Sequence, residues 1–122
     1  MIKGIGNDII EIDRIRKTID EHGARFYQKI FTEKELDYCL AHKDPATPLA
    51  GRFSAKEAIA KALGTGFGKA VSFLDIEITN DELGRPIVEF TDVLNENFNF
   101  PQILISISHC KQYAAGMAIW VG

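Results

Sequence analysis

Two cysteines in 122 residues, Cys39 and Cys110, stand far apart and lack metal-ligand spacing. That excludes a disulfide framework and a cysteine zinc site, and it implies reduced thiols in a cytosolic protein. No apolar run approaches the ~20 residues that span a bilayer, and the N-terminus carries no signal-peptide pattern. A basic excess is also missing. The formal charge is −3, which argues against a dedicated nucleic-acid binder. Internal repeats, linkers and low-complexity segments are absent. What remains is a chain of ordinary globular composition, 46% hydrophobic and 25% charged, sized for one domain over residues 1–122. Its charges are uneven: basic residues gather near Arg14–Lys29 and Arg52–Lys69, and residues 75–96 are acid-rich.

The most informative stretch is Gly51-Arg-Phe-Ser-Ala-Lys-Glu57-Ala-Ile-Ala-Lys61-Ala-Leu-Gly-Thr-Gly66. Alanine and leucine make it a strong helix former, and Gly64 is a natural left-handed stop after Leu63. Glu57 and Lys61 are spaced to lie on one helical face, joined there by Ser54. A Glu–Lys pair at this spacing is most often a surface ion pair worth a few tenths of a kcal/mol. Two features depart from that role. Alanines at 55, 58, 60 and 62 allow close backbone approach on several sides, as in a buried helix. One carboxylate in a basic segment also suits a polyanion with a cation beside it.

Residues 2–10 alternate as a strand, with Gly4 and Gly6 permitting close approach by neighbouring backbone or a ligand. Asp8 is expected to end this strand. There it would either cap the next helix, in a capping box with Glu11, or serve as a metal ligand, capping being the commoner role. Ile12, Ile15 and Ile19 mark a helical stripe that leaves Arg14, Arg16 and Lys17 outside it. Gly23 breaks that helix and a short turn follows through Ile30. Thr32-Glu-Lys-Glu35 reads as a capping box opening a helix to about His42, itself expected to be solvated. Pro48 suits the first turn of the alanine-rich helix. Val71–Thr79 is expected to be a half-buried strand, returned by Pro86–Phe90 through a hairpin at Asn80–Gly84. Thr91 should cap a brief helix to Phe98. Two strands then follow, Ile103–Ser108 and Tyr113–Val121. The order implies an α+β fold, with a small antiparallel sheet packed on a long central helix.

Several phosphate motifs fail on inspection. Gly4-Ile-Gly6 lacks the third glycine of a dinucleotide fingerprint. Gly64–Lys69 is not a Walker loop: with four residues intervening before Gly68-Lys69, the first glycine would fall at Leu63, and Ala70 stands where a Ser or Thr would hold magnesium. The loop is a helix stop, or a nest of backbone N–H groups for a phosphate. His109, after Ile-Ser-Ile-Ser, is a turn residue, a phosphate donor or a base. No Ser/His/Asp arrangement accompanies it.

Taken together, Gly4–Ile12, Phe31–Glu35, Gly51–Gly66 and Ile105–His109 resemble the holo-acyl-carrier-protein synthases, the short bacterial class of 4′-phosphopantetheinyl transferases. The resemblance covers nearly the whole chain, and its third stretch is the most specific. It implies transfer of 4′-phosphopantetheine from coenzyme A to a serine of apo acyl carrier protein, in support of fatty acid biosynthesis. Asp8 and Glu57 would then be magnesium ligands and Lys61 would contact the reacting phosphates. Arg52, Lys61, Gly64, Thr65, Gly66 and His109 would bind coenzyme A. A homotrimer with shared active sites is implied, in which Arg52 reaches a neighbour's coenzyme A. Arg14 and Arg25 would dock the acidic carrier protein. The serine proton could pass to a magnesium-bound water, which is preferred, or to Glu57 or His109. The longer transferases of the superfamily carry an Asp-x-Glu metal pair. Here Ile10 stands at the second acidic position, which leaves coordination room for water. A magnesium phosphohydrolase or nucleotidyl transferase using the same two carboxylates is the alternative, weakened by the lack of further acidic ligands for a second metal. A non-catalytic coenzyme A-binding module would be expected to have lost Asp8, Glu57 or Lys61.

Overall fold

The computed structural model describes residues 1–122. In chain order it contains β1 (Ile2–Glu11), α1 (Ile12–His22), α2 (Ala24–Ile30), α3 (Glu33–Leu40) and α4 (Ala46–Leu63), then a 3₁₀ turn at Phe73–Asp75. It continues with β2 (Ile76–Asn80), β3 (Pro86–Phe90), α5 (Asp92–Phe98), β4 (Gln102–His109) and β5 (Tyr113–Val121). The α+β expectation holds, but the single sheet does not. The strands form a three-stranded antiparallel sheet in the order β1-β5-β4 and a separate hairpin, β2-β3. No helix is long and apolar enough to cross a membrane.

Glycine decides how α4 meets the larger sheet. A Cβ on Gly6 would sit 2.0 Å from the Ala58 carbonyl oxygen, and one on Gly4 would sit 2.0 Å from that of Ala62. On β5, a Cβ on Gly116 would come within 2.6 Å of the Ala55 nitrogen. Bare strand backbone facing alanine-rich helix backbone lets the two layers approach more closely than side chains would permit. Two cores flank this contact. Ile59, Leu63, Ile76, Ile78 and Leu94 anchor one; Ile12, Ile15, Phe31 and Leu49 anchor the other. Because α4 is covered on several sides, Leu49, Ala55, Ala58 and Ile59 are fully buried.

Local signals held in several places. Thr32 and Glu35 form the expected capping box, Thr91 caps α5, and Gly64 closes α4 at φ 86°. Two expectations were overturned. Asp8 neither ends β1 nor caps a helix: the strand runs on to Glu11, paired with Tyr113. The helix after it has no side-chain cap and is tied instead by the Ile12 amide to the Gln112 carbonyl at 2.9 Å. The ladder continues because Ile10 is needed in the second core. The strand expected from Val71 begins only at Ile76. Before it, Ser72 and Asp75 cap the 3₁₀ turn and Phe73 stacks on Phe67, centroids 3.8 Å apart. Ser54 is buried, its hydroxyl donating to the Ala114 carbonyl at 3.3 Å, and so is closed to ligands.

Candidate active site

Asp8 lies on the face of β1 that carries Gly4 and Gly6, so the glycine contact brings it alongside α4. The Lys61 ammonium reaches back from α4, 3.3 Å from Asp8 Oδ1 and 2.9 Å from the Asn7 carbonyl oxygen. Glu57, one turn earlier, is half-buried and holds its proton more tightly than an ordinary glutamate. Burial is the main cause, the charge of Asp8 adds to it, and Lys61 offsets part of it. Two carboxylates and a lysine from separate elements therefore share one electrostatic site. Beside them, Asp8, Lys61, Asn7, Ser106 and Ser108 border an open cavity of about 530 Å³.

Arg52 and His109 lie elsewhere, in a second cleft, also about 530 Å³, bordered by Tyr38, His42, Lys43 and Asn80. Within one chain the expected residues thus fall into two separate half-sites. Arg52 is buried: its Nε donates to the Ile78 carbonyl at 3.2 Å and its Nη2 donates to Asn80 Oδ1 at 2.5 Å. Its guanidinium also lies 4.6 Å from the Tyr38 ring centroid. Tyr38, Lys43 and Asn80 were missed in the sequence; His42 is exposed, as expected, with its ring tilted against Tyr38, centroids 4.8 Å apart. Only the spacing of Tyr38 and His42, one helical turn apart, hinted at a shared face.

The glycine loop resolves toward its simpler role. The amides of Gly64 and Gly66 donate to the Ala60 carbonyl, and that of Gly68 donates to the Val71 carbonyl. These N–H groups close the helix and the turn, so they form no open nest. Thr65 is exposed at the loop's tip. Arg14 and Arg25 are also exposed, whereas Arg16 is engaged by Asp13 and by Asp44.

No group of three or more His, Cys, Asp or Glu side chains is gathered anywhere. Asp8 and Glu57 nonetheless suit magnesium, which takes few carboxylates and keeps several waters. Their mutual repulsion, legible in the raised proton affinity of Glu57, is the kind of strain a divalent cation relieves.

The family description "4′-phosphopantetheinyl transferase superfamily" matches residues 4–118. A holo-[acyl-carrier-protein] synthase of Protochlamydia amoebophila is 54% identical over 120 residues, covering 98% of each chain. Among solved structures, a holo-(acyl-carrier-protein) synthase of Bacillus anthracis in complex with CoA (3′,5′-ADP) is 43% identical. It superposes with a TM-score of 0.85, over 98% of this chain and 96% of the other. The Helicobacter pylori holo-[acyl-carrier-protein] synthase in complex with coenzyme A gives a TM-score of 0.87 at 34% identity, over 96% of this chain and 99% of its own. The resemblance read from the four sequence stretches is upheld, and the chain belongs to the 4′-phosphopantetheinyl transferase superfamily, among the holo-[acyl-carrier-protein] synthases.

Proposed function

We propose that this protein transfers the 4′-phosphopantetheine group from coenzyme A to a serine of apo acyl carrier protein, releasing adenosine 3′,5′-bisphosphate. The observation that carries the reading is the meeting of Asp8, Glu57 and Lys61 from β1 and α4, in a chain with such relatives. Asp8 and Glu57 would hold magnesium, which supplies positive charge to the diphosphate when bound. Lys61, half-exposed and already aimed at Asp8, is placed to share the negative charge that develops on the departing phosphate. Positioning and electrostatics carry most of the rate in chemistry of this kind.

The second cleft takes the nucleotide end of coenzyme A. Arg52 and Lys43 give it positive charge suited to phosphate, and His42 and His109 add ring nitrogens that can hydrogen-bond; Thr65 offers a hydroxyl apart from this cleft, just past the end of α4. Its separation from Asp8 within one chain is accounted for by a homotrimer in which each active site is shared between neighbours. The sheet face turned away from α4 supports such an assembly: Ile5, Ile9, Leu104 and Met117 are 62%, 66%, 56% and 44% exposed there. Arg14 and Arg25, free of ion pairs, form the docking surface for an acidic carrier protein. The cytoplasm, with fatty acid biosynthesis as the process served, fits these partners.

The test is incubation with coenzyme A, magnesium and apo acyl carrier protein, followed by mass spectrometry of the carrier. A phosphopantetheine increment that requires magnesium is expected. No increment, or near-normal turnover by a folded Asp8→Asn variant, would overturn the assignment.

A further inference from the structure

Neither Lys56 nor Glu35 has a part in the chemistry above, although each belongs to a stretch that carries the family likeness. Both are fully buried. Lys56, the residue before Glu57, has no exposed side-chain surface, and neither does the Glu35 side chain at the start of α3. The Lys56 ammonium donates three hydrogen bonds: to Glu35 Oε1 at 2.7 Å, to the Ile30 carbonyl at 2.7 Å and to the Phe73 carbonyl at 3.1 Å. All three of its protons are committed. Glu35 Oε1 also accepts from the Thr32 amide at 2.8 Å, and Glu35 Oε2 accepts from the Ile78 amide at 2.9 Å. The pair therefore joins α2, α3, α4, the 3₁₀ turn and β2 at a single point.

Ile78 extends this network to the second cleft. Its N–H is held by Glu35, and its carbonyl on the same strand receives the Arg52 Nε at 3.2 Å. Hydrophobic contacts alone would let β2 slide by fractions of an ångström; paired, fully satisfied buried charges tolerate far less displacement. Replacing such a pair by apolar groups is often tolerated for stability, so its presence invites a reason other than stability.

We infer that the Lys56–Glu35 pair is a positioning device: by holding Ile78 it fixes the Arg52 guanidinium in the cleft for the phosphates of coenzyme A. This rests on the function proposed above. Neither residue touches the substrate; both act through Arg52.

The test uses the full-length protein and coenzyme A as the probe, with titration calorimetry and circular dichroism well below each variant's melting temperature. The double variant Glu35→Gln/Lys56→Met removes the charges together and leaves no unpaired ion. It is expected to stay folded yet bind coenzyme A about tenfold more weakly, with KM for coenzyme A rising more than kcat falls. Adding Arg52→Met to it should cost little more, because the two changes act through one contact. Ile15→Ala, a destabilising change in the other core, should leave coenzyme A affinity within about twofold. Should the double variant fail to fold, Glu35→Asp keeps the charge, withdraws the carboxylate from Ile78 and is read the same way. Unchanged affinity in the folded variants, or a full further loss on adding Arg52→Met, would overturn the positioning role alone. Wild-type protein that does not bind coenzyme A would overturn the functional reading with it.

Discussion

Gly6 of β1 lies directly beneath Ala58 of α4, so close that a methyl group on Gly6 would stand 2.0 Å from the Ala58 carbonyl oxygen. This contact sets the distance between Asp8, two residues along the strand, and the Glu57–Lys61 face of the helix. The obstacle is backbone on both sides, which cannot rotate away as a side chain can. Gly6→Ala is therefore expected to push β1 and α4 apart, at about 1–3 kcal/mol of stability. Calorimetry should show a lower Tm. Transfer should fall further than that loss explains, because Asp8 and Glu57, the proposed magnesium ligands, separate.

Glu57 offers a stability gain coupled to a loss of activity. Burial, then the charge of Asp8, hold its folded pKa above the ordinary 4.5. The protonated form is favoured by folding, so its contribution is full below pH 4.5 and declines as pH rises through the folded value. At neutral pH and without metal, the ionised group costs stability. Glu57→Gln should raise the metal-free Tm at pH 7, with the gain vanishing at acid pH. Magnesium-dependent transfer by the same variant should fall on the order of 100-fold or more. A lower Tm at pH 7 would contradict the electrostatic picture.

Asp75 should behave in the opposite sense. Burial draws its pKa upward, but donors from Thr91 and Ser72 outweigh it and hold the carboxyl below its ordinary 3.8. Its stabilisation is therefore present above pH 3.8 and is lost as pH falls through the lower folded value. The Tm difference between wild type and Asp75→Asn should be steady at neutral pH and shrink at acid pH, measured by thermal melts across that range.

Carrier docking can be read from salt dependence. Arg14→Glu should raise the apparent requirement for carrier protein about tenfold and flatten its dependence on ionic strength, with KM for coenzyme A unmoved. An unchanged salt profile would remove Arg14 from the docking surface.

The assembly is tested at Ile5, which is 62% exposed on the outer face of the sheet. Ile5→Arg should leave the folded chain intact, lower the mass seen by light scattering from that of the proposed trimer to that of a monomer, and abolish transfer by separating the half-sites. A monomeric wild-type protein would exclude the shared site.

Much of this protein was written locally in its sequence. The Thr32–Glu35 capping box, the Thr91 cap, the Gly64 stop and the β2-β3 hairpin each depend on contacts within a few residues, and all appear where the residues indicate. The family likeness was legible too, because its motif residues sit close together along the chain. Tertiary structure decided the rest, through contacts distant in sequence. Asp8 could not be separated from a helix cap until the β1-β5 ladder carried the strand past it to Glu11. Val71–Asp75 alternates like a strand, yet stacking of Phe73 on Phe67, 3.8 Å between centroids, turns it into a 3₁₀ turn. Lys56 and Glu57 are neighbours with similar solubility, but one is sealed against Glu35 and the other turned toward Asp8. A helix places successive side chains about 100° apart, and only the elements packed around α4 determine which directions meet protein and which meet water.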